Sequence, residues 1–166
     1  MTIKIIPLTR DRLAEYRALR IEAYTVDSLA FGLMTPELDS KISDEEILNY
    51  TSEDDLNKIL LAEVSGKIVG TIRIERDAGR RKGAMIRLFF VSPSMRKNKI
   101  GLALFKNAIN HTKKHSMIYV KLYVRETQKD AIRIYKYFGF EKIEDVAAKR
   151  KLRGEYLKFK TMRLWV

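Results

Sequence analysis

The chain lacks cysteine altogether, has only 3 prolines in 166 residues, and contains no apolar run near the roughly 20 residues needed to span a bilayer. The absence of cysteine excludes disulfides, thiolate metal sites and a cysteine nucleophile, and it agrees with a cytoplasmic location. Residues 1–7 predict a short strand rather than a signal peptide. What is present, 46% hydrophobic and 33% charged residues, is typical of a soluble globular protein with one domain, residues 1–166.

Positive charge is concentrated in the later part of the chain, within a net charge of +12. Residues 1–60 contain 7 Lys/Arg against 12 Asp/Glu, whereas residues 61–166 contain 26 against 9. Two interpretations stand at this point. Either the basic part holds polyanions and the acidic part meets a cation, or both are solvated surface.

Hydrophobic periodicity and turn residues predict the element order β α α β β β α β α β β. Four helices are expected: Thr9–Tyr24, a helix begun by the Ser43–Glu46 capping box, 98–115 and Gln128–Phe138. Strands are expected over 3–8, 56–64, 68–76, 84–91, 117–124, 140–146 and 156–165. A mobile connection is expected over 25–42 and a basic loop over 149–154. The pattern predicts the α/β class, with a single mixed, mostly antiparallel, twisted sheet of about seven strands flanked by about four helices.

One stretch carries the strongest chemical signal. An apolar strand, Ile86–Val91, runs into a short basic loop, and the loop opens a helix with Gly101 in its first turn. At such a helix start, free backbone N–H groups and the positive end of the helix dipole point the same way, so anions bind there. The stretch therefore predicts a site for a phosphate-bearing cofactor, although an ordinary basic loop before an ordinary helix has the same local pattern.

The residues of this stretch resemble the central signature of the GNAT acetyltransferase superfamily. That signature is a strand ending Val-x-Pro, followed by Arg/Gln-x-x-Gly-x-Gly/Ala. Here Val91-x-Pro93 is followed by Arg96-Lys97-Asn98-Lys99-Ile100-Gly101. Lys99 takes the place of the first glycine of the signature. A glycine there lets a phosphate approach the backbone closely. Lysine adds a Cβ at this position but also a charge that could reach a phosphate.

A second signature supports the resemblance. The family pattern Asn-x-x-Ala-x-x-x-Tyr-x-x-x-Gly-Phe is matched by Gln128-x-x-Ala131-x-x-x-Tyr135-x-x-x-Gly139-Phe140, with glutamine in place of asparagine. The predicted element order also matches over nearly the whole chain. The resemblance implies an acyltransferase, namely an N-acetyltransferase that moves an acetyl group from acetyl-CoA to a primary amine and releases CoA.

The resemblance also implies which residues hold acetyl-CoA. The basic loop and the first helical turn would bind the pyrophosphate, and the pantetheine arm would enter a gap between Phe89–Val91 and Leu122–Val124. A free strand N–H near Phe90 would act as the oxyanion donor. The implied cofactor-binding residues are Phe89, Phe90, Val91, Arg96, Lys97, Asn98, Lys99, Ile100, Gly101, Leu102, Ala103 and Gln128.

For catalysis, the resemblance implies Tyr135 as the general acid that protonates the departing CoA thiolate, whereas position alone favours a core tyrosine on an amphipathic helix. The general base stays open. Strand 84–91 contains no carboxylate, so Glu75 on the adjacent strand is the nearest candidate, beside a water relay through backbone carbonyls. Glu126 is expected to face solvent. Because the chain has no cysteine to carry the acetyl group, direct attack by the amine is expected.

In this family the first two helices and the loop between them line the acceptor pocket, which here is about residues 20–50. The region is acidic, and this favours a small cationic, polyamine-like amine or a peptide or protein amine as the acceptor, against the alternative of a solvated helix face. The acidic residues are Glu22, Asp27, Glu37, Asp39, Asp44, Glu45 and Glu46.

Functions of two other classes stay open: a basic module that binds nucleic acid or the ribosome, and a CoA-binding GNAT-like domain without catalysis. The sequence matches no standard nucleic-acid motif, so nucleic acid is not expected. No metal is expected as a partner, since His111 and His115 lie four residues apart without a carboxylate or cysteine nearby. No membrane is expected either, since the sequence contains no long apolar run. The apolar last strand, ending Leu164-Trp165-Val166, could pair with a second copy to form a homodimer.

Overall fold

The computed structural model describes residues 1–51, 54–143, 149–152 and 155–166. Its strands are β1 Ile3–Pro7, β2 Lys58–Val64, β3 Lys67–Arg76, β4 Gly83–Val91, β5 Tyr119–Val124, β6 Glu141–Ile143, β7 Lys149–Leu152, β8 Glu155–Lys158 and β9 Lys160–Trp165. Its α-helices are α1 Leu13–Asp27, α2 Pro36–Asp39, α3 Asp44–Asn49, α4 Ile100–Lys114 and α5 Lys129–Tyr137. Short 3-10 helices occupy Arg10–Arg12 and Pro93–Met95.

Seven strands form one mixed sheet in the order β1-β2-β3-β4-β5-β9-β6. Every neighbouring pair is antiparallel except β4 and β5, which are parallel and are joined by the crossover helix α4. The β2–β3 hairpin turns at Ser65 and Gly66, whose φ angles of 50° and 80° suit a tight turn with two left-handed residues. The predicted fold class is confirmed.

Alternation along the strands divides the apolar side chains between the two faces of the sheet. Ile72 and Ile74 of β3 are fully buried in one cluster with Leu104 of α4, and α5 packs on this same side. On the opposite face, Tyr16 of α1 is fully buried in a second cluster with Leu61 of β2. The two helical layers therefore cover opposite faces, and anything that passes from one layer to the other must pass between strands.

The connection expected over 25–42 is partly helical. Helix α1 runs on to Asp27, and Thr35 caps α2 by accepting a hydrogen bond from the Leu38 N–H at 3.3 Å. The described residues thus contain five α-helices rather than about four, because a threonine cap followed by Pro36 begins a short helix inside the expected connection.

The carboxyl-terminal strands differ from the prediction in three ways. Lys149–Leu152, expected in a basic loop, form β7 and pair with β8 in a separate two-stranded sheet. The single strand expected over 156–165 is interrupted at Phe159. Residues 144–146 of the expected strand and 153–154 of the expected loop lie outside the described residues. Finally, β9 has β6 as a neighbour over residues 161–163, so this part of its edge is paired within the chain.

Candidate active site

The sheet opens between its two parallel strands. β4 and β5 pair from Gly83 and Tyr119 as far as Ile86 and Leu122, and within these fully described strands the pairing ends there, although β4 continues to Val91. Just beyond the last pair, Leu88 adopts a φ of 48°, and the register of β4 against β3 shifts. This irregularity is a β-bulge, a feature that bends a strand and re-aims its side chains. The result is the gap predicted between the two strands.

The loop that follows β4 is held in a left-handed backbone conformation at two lysines. Lys97 has a φ of 65°, and Lys99, directly before α4, has a φ of 61°. Non-glycine residues rarely adopt this conformation because of Cβ crowding. The family's preference for glycine at the position of Lys99 is therefore explained by the positive φ angle as well as by the close approach of a phosphate. Here lysine accepts the same conformation and brings a cationic side chain to the helix start.

The first turn of α4 offers backbone donors toward this loop. The Ala103 N–H donates to the Lys99 carbonyl at 3.0 Å, so within the helix the N–H groups before it, at Ile100, Gly101 and Leu102, have no carbonyl to bond. Ala103 is therefore not one of the donors, contrary to expectation. Asn98 also has another role, because its side-chain amide donates to the carbonyls of Met95 and Arg96 and so ties the loop to itself.

A cavity of about 800 Å³ lies beside this loop, between the end of β4 and the start of α5. Ten of the twelve expected cofactor-binding residues line it: Phe89, Phe90, Val91, Arg96, Lys97, Lys99, Ile100, Gly101, Leu102 and Gln128. A Cβ on Gly101 would lie only 3.0 Å from Ile134 Cδ1 and 3.1 Å from Phe89 Cζ, so glycine allows close packing of β4, α4 and α5 at this point. A cationic helix start at one end and aromatic walls at the other fit a molecule that is anionic at one end and apolar at the other.

Some lining residues carry no signal in the sequence. Phe31 and Ala30, from the connection after α1, close the cavity on one side, and Lys129 and Arg133 of α5 add positive charge. Their positions depend on how separate elements pack, so no local sequence pattern predicts that they line the cavity. Arg96 is fixed by a hydrogen bond from its Nε to the Val91 carbonyl at 3.1 Å.

A second cavity of about 300 Å³ lies on the α1 side of the gap. It shares four wall residues with the first: Ala30, Phe31, Phe89 and Gln128. The two cavities therefore adjoin at the opening between β4 and β5.

Tyr135 reaches the second cavity from α5. The residue is only 5% exposed, and its ring packs against those of Phe105 and Phe89 at centroid distances of 5.2 and 6.1 Å. Its hydroxyl makes no hydrogen bond to any residue that the structure describes. Burial raises the pKa of the phenol, so the hydroxyl keeps its proton throughout the neutral range and is available to donate it.

The second cavity has a cationic wall formed by Arg20, Arg73 and Arg87. Arg73 of β3 and Arg87 of β4 are direct cross-strand partners, and both donate to the carboxylate of Glu75, Arg73 Nη2 at 2.6 Å. Tyr50 Oη donates to the same carboxylate at 2.8 Å. Burial opposes ionisation of Glu75, but the two guanidinium charges outweigh it and hold the pKa of the carboxyl below its usual range. Glu75 lines neither cavity and lies behind the arginines as their counter-ion.

The acidic residues expected around the acceptor do not form an acidic pocket. Only Asp27 lines a cavity, the first. Asp39 is 2% exposed and accepts hydrogen bonds from Arg20 and Arg17. Four of the others also have partners on the chain: Asp44 with Arg17, Glu45 with Arg10, Glu46 with the Ser43 N–H, and Glu22 with Ser92. Arginines near or on α1 meet several of these carboxylates, so the acidic count does not become an acidic surface toward the cavity.

The remaining expectations concern residues away from the gap. Glu126 is 67% exposed and pairs with Lys160 at 2.7 Å, as expected of a solvent-facing residue. The His111 and His115 rings lie 4.3 Å apart, each bonded to a backbone carbonyl. Among the residues that the structure describes, no group of three His, Asp or Glu could hold a metal ion, and no helix is long and apolar enough to cross a bilayer.

The family model described as an acetyltransferase (GNAT) domain matches residues 24–163. An uncharacterized N-acetyltransferase from Methanocaldococcus jannaschii is 30% identical over 149 residues, covering 87% of this chain; the chain spans only 63% of that relative's length.

Solved structures share the fold over almost the whole chain. A GNAT-family acetyltransferase from Streptococcus pneumoniae superposes with a TM-score of 0.79 at 21% identity, covering 99% of this chain and 100% of its own. A Salmonella typhimurium protein named as an acetyltransferase, solved with its cofactor acetyl-CoA, gives a TM-score of 0.79 at 14% identity, covering 99% of this chain and 94% of its own.

Proposed function

Because the chain belongs to the GNAT acetyltransferase family, we propose that residues 1–166 form one N-acetyltransferase domain that uses acetyl-CoA and acetylates a primary amine. The observation that carries the proposal is the convergence of the two family motifs on one cavity. The loop before α4 and the start of α5 are separated by a helix and a strand, yet both line the space beside the opening in the sheet. The assignment of acetyl-CoA is part of the proposal; it follows from the family, and the acetyl-CoA bound in the Salmonella protein of the same fold supports it.

Acetyl-CoA supplies the acetyl group as an activated thioester. The unbonded N–H groups of Ile100, Gly101 and Leu102 bind the pyrophosphate, and the charges of Lys97 and Lys99 neutralise it. The backbone of β4 beyond Ile86, free of β5, binds the pantetheine amides. An N–H of this segment near Phe90 stabilises negative charge on the thioester oxygen.

The chain's own residues also manage the two protons of the transfer. Tyr135 Oη would donate its proton to the leaving sulfur, and the resulting phenolate would regain a proton from the nitrogen that has attacked the thioester, which leaves that nitrogen as a neutral amide. The arginines of the second cavity disfavour an ammonium ion near them, so they lower the pKa of the bound amine and favour its neutral, nucleophilic form. Water then carries that proton away, without a carboxylate base in the cavity. Since the chain has no cysteine, the amine receives the acetyl group directly.

Ligand-induced thermal stabilisation tests the proposal against its alternatives. Acetyl-CoA at 100 times its dissociation constant is expected to add about 2.7 kcal/mol of stability, which for a chain of this size raises the Tm by about 5–10 °C. A DNA or RNA oligonucleotide at the same ionic strength is the control, and it should leave the Tm unchanged. The opposite pattern, a salt-sensitive shift with oligonucleotide and none with CoA, would support the nucleic-acid-binding module. Binding of CoA with no release of free thiol in the presence of any amine would support a CoA-binding domain without catalysis.

Replacing Lys99 by glycine is expected to change stability and affinity in opposite directions. Glycine accepts a φ of 61° without Cβ crowding, so the variant should be more stable by up to about 1 kcal/mol. The lost charge should weaken CoA binding and reduce the dependence of affinity on salt concentration. Calorimetric titration at two salt concentrations, with thermal denaturation, measures both effects.

Ser116 provides a matched control for this change. It has a φ of 56° but lines neither cavity, so Ser116→Gly should stabilise the protein without altering CoA affinity. If CoA affinity and its salt dependence are unchanged in Lys99→Gly, Lys99 does not contribute to phosphate binding.

A further inference from the structure

The second cavity is cationic on one side and has no acidic side. Of the described residues that line it, Arg20, Arg73 and Arg87 are charged, and none is Asp or Glu. The other walls are mainly aromatic and aliphatic, among them Tyr24, Phe31 and Tyr135. A volume of about 300 Å³ suits a small molecule rather than a folded partner. A cationic acceptor in this space would face three guanidinium groups, and no carboxylate among the described lining residues could pair with it.

The arginine pair is positioned before any ligand arrives. Like charges directly opposite each other on neighbouring strands destabilise a sheet, and Arg73 and Arg87 are such partners. Among the described residues they share one carboxylate, Glu75. The guanidinium of Arg73 lies 3.7 Å from the ring centroid of Tyr50, which fixes its plane. Its Nε–H is buried and has no partner among the described residues, so the site carries positive charge and donor capacity that the chain does not fully use.

Arg73 and Arg87 are also accessible from the cavity. Their side chains keep 28% and 35% of their surface exposed, whereas Arg20 keeps only 7% and is held by Asp39 at 2.5 Å. Arg73 and Arg87 are thus the two residues of the cationic wall that a ligand can reach. Arg20 belongs to the same wall, but its side chain is buried and paired with Asp39.

We propose that the acceptor is a small amine that also carries a carboxylate, such as an amino acid, and that Arg73 and Arg87 bind this carboxylate. The inference rests on the N-acetyltransferase function proposed above. Guanidinium groups match a carboxylate geometrically through paired N–H donors, and such charge-assisted bonds are the strong ones. With the carboxylate at the arginines, the amine is left to face the part of the cavity that Tyr135 lines. The polyamine-like acceptor suggested by the acidic sequence of residues 20–50 does not fit this wall.

A matched amine panel tests the proposal directly. Each member is offered in three forms, as the amino acid, as its carboxamide and as the decarboxylated amine, alongside spermidine and an aminoalkylphosphonate. Free thiol release with acetyl-CoA gives kcat and KM for each. At least one amino acid is expected to exceed its own carboxamide and spermidine by about tenfold or more in kcat/KM, since a charge-assisted hydrogen bond contributes that much. A phosphonate that surpasses every carboxylate would show that the arginines select a phosphate-like group, and this would overturn the carboxylate assignment.

Substitution of Arg87 connects the preference to the residue. In Arg87→Gln the ratio of kcat/KM for the amino acid to that for its carboxamide should fall about tenfold, mainly through KM, whereas Arg87→Lys should keep part of it. Arg10→Gln removes one charge from an exposed pair with Glu45 and should leave the ratio unchanged. Calorimetric binding of the N-acetylated amino acid in the presence of CoA gives a readout independent of turnover. This binding should weaken in Arg87→Gln, weaken less in Arg87→Lys and stay unchanged in Arg10→Gln.

Different outcomes contradict the carboxylate-bearing acceptor and the acetyltransferase function. If carboxamides or polyamines are acetylated as well as any amino acid, the carboxylate proposal is wrong while the acetyltransferase function stands. If no carboxylate-bearing member is either acetylated or bound as its N-acetyl product, the carboxylate proposal is also wrong. If neither acetyl-CoA nor CoA shifts the Tm, the proposed function itself is wrong.

Discussion

Replacing Tyr135 by phenylalanine is expected to lower kcat by about a hundredfold or more while leaving the affinity for CoA nearly unchanged. The substitution removes one oxygen and keeps the ring, which packs against Phe105 and Phe89. The hydroxyl makes no hydrogen bond to any described residue, so its removal leaves no group of those residues without a partner. The free energy of unfolding should therefore change by less than about 1 kcal/mol.

The pH dependence of the wild type gives a second test of Tyr135. A free tyrosine has a pKa of about 10, and burial raises the pKa of this one. Because the protonated form is the active form of a general acid, loss of kcat through Tyr135 is expected only above that ordinary value. An alkaline limb of the kcat profile with a midpoint well below pH 10 must therefore come from another group.

Tyr119 provides the control for loss of a hydroxyl. Its Oη donates to Asp77 at 2.7 Å and lines neither cavity, so Tyr119→Phe should cost some stability and leave kcat unchanged. A Tyr135→Phe enzyme that keeps full kcat would mean that Tyr135 serves the core alone, as its position on an amphipathic helix suggests.

The architecture was predictable because periodicity, turn residues and two motifs agree with one another. The helices α4 and α5 have strong apolar faces, and the parallel pair β4–β5 follows once a helix joins two buried strands. Leu88 could not be predicted, since a leucine with a φ of 48° has no sequence signature and is imposed by the surrounding sheet. This one residue marks where the sheet opens.

The structure brings ten of the twelve predicted cofactor-binding residues to one cavity, since that prediction depended on local backbone. The acidic residues of the acceptor prediction do not meet in one pocket, since several of them pair with arginines. Counting acidic residues over 20–50 takes no account of arginines that meet them, as Arg17 meets Asp39 and Asp44. Arg87 is the one charged residue of β4, whereas Arg73 shares β3 with Lys67, Glu75 and Arg76. Only the strand register places Arg73 and Arg87 opposite each other. The charge that a ligand meets can be predicted from the sequence only after the strand register and the ion pairs are known.

Replacing Glu75 by alanine is expected to lower the free energy of unfolding by about 3 kcal/mol at neutral pH, because it leaves two opposed, partly buried arginines without their shared carboxylate. Glu126→Ala, which breaks an exposed pair with Lys160, should cost less than about 0.5 kcal/mol. In an Arg87→Gln background the cost of Glu75→Ala should shrink by about 1 kcal/mol or more, as expected for residues in contact. Chemical denaturation of the four proteins of this cycle measures the coupling.

The same substitution has a definite pH dependence. Burial opposes ionisation of Glu75, yet the arginines hold its pKa in the folded state below the value of an unfolded chain. The contribution of the carboxylate to stability is therefore complete above the ordinary glutamate pKa of about 4.3, and it is lost as pH falls through the lower folded value. The stability difference between wild type and Glu75→Ala should be constant from neutral pH to about pH 5 and should decrease below that. A difference that instead grows on acidification would mean that the carboxyl is protonated in the folded state.

Kinetics of the milder Glu75→Gln variant then separate two roles for this residue. A counter-ion that positions Arg73 and Arg87 acts through acceptor binding, so its loss should raise the KM of the acceptor more than it lowers kcat, with an unchanged acidic limb in the kcat profile. A general base would show the reverse, with a large loss in kcat and an altered acidic limb. Because Glu75 lines neither cavity and both of its oxygens accept hydrogen bonds from arginine or tyrosine, we expect the first pattern. On that pattern the carboxylate of Glu75 acts by holding Arg73 and Arg87 in place for the acceptor.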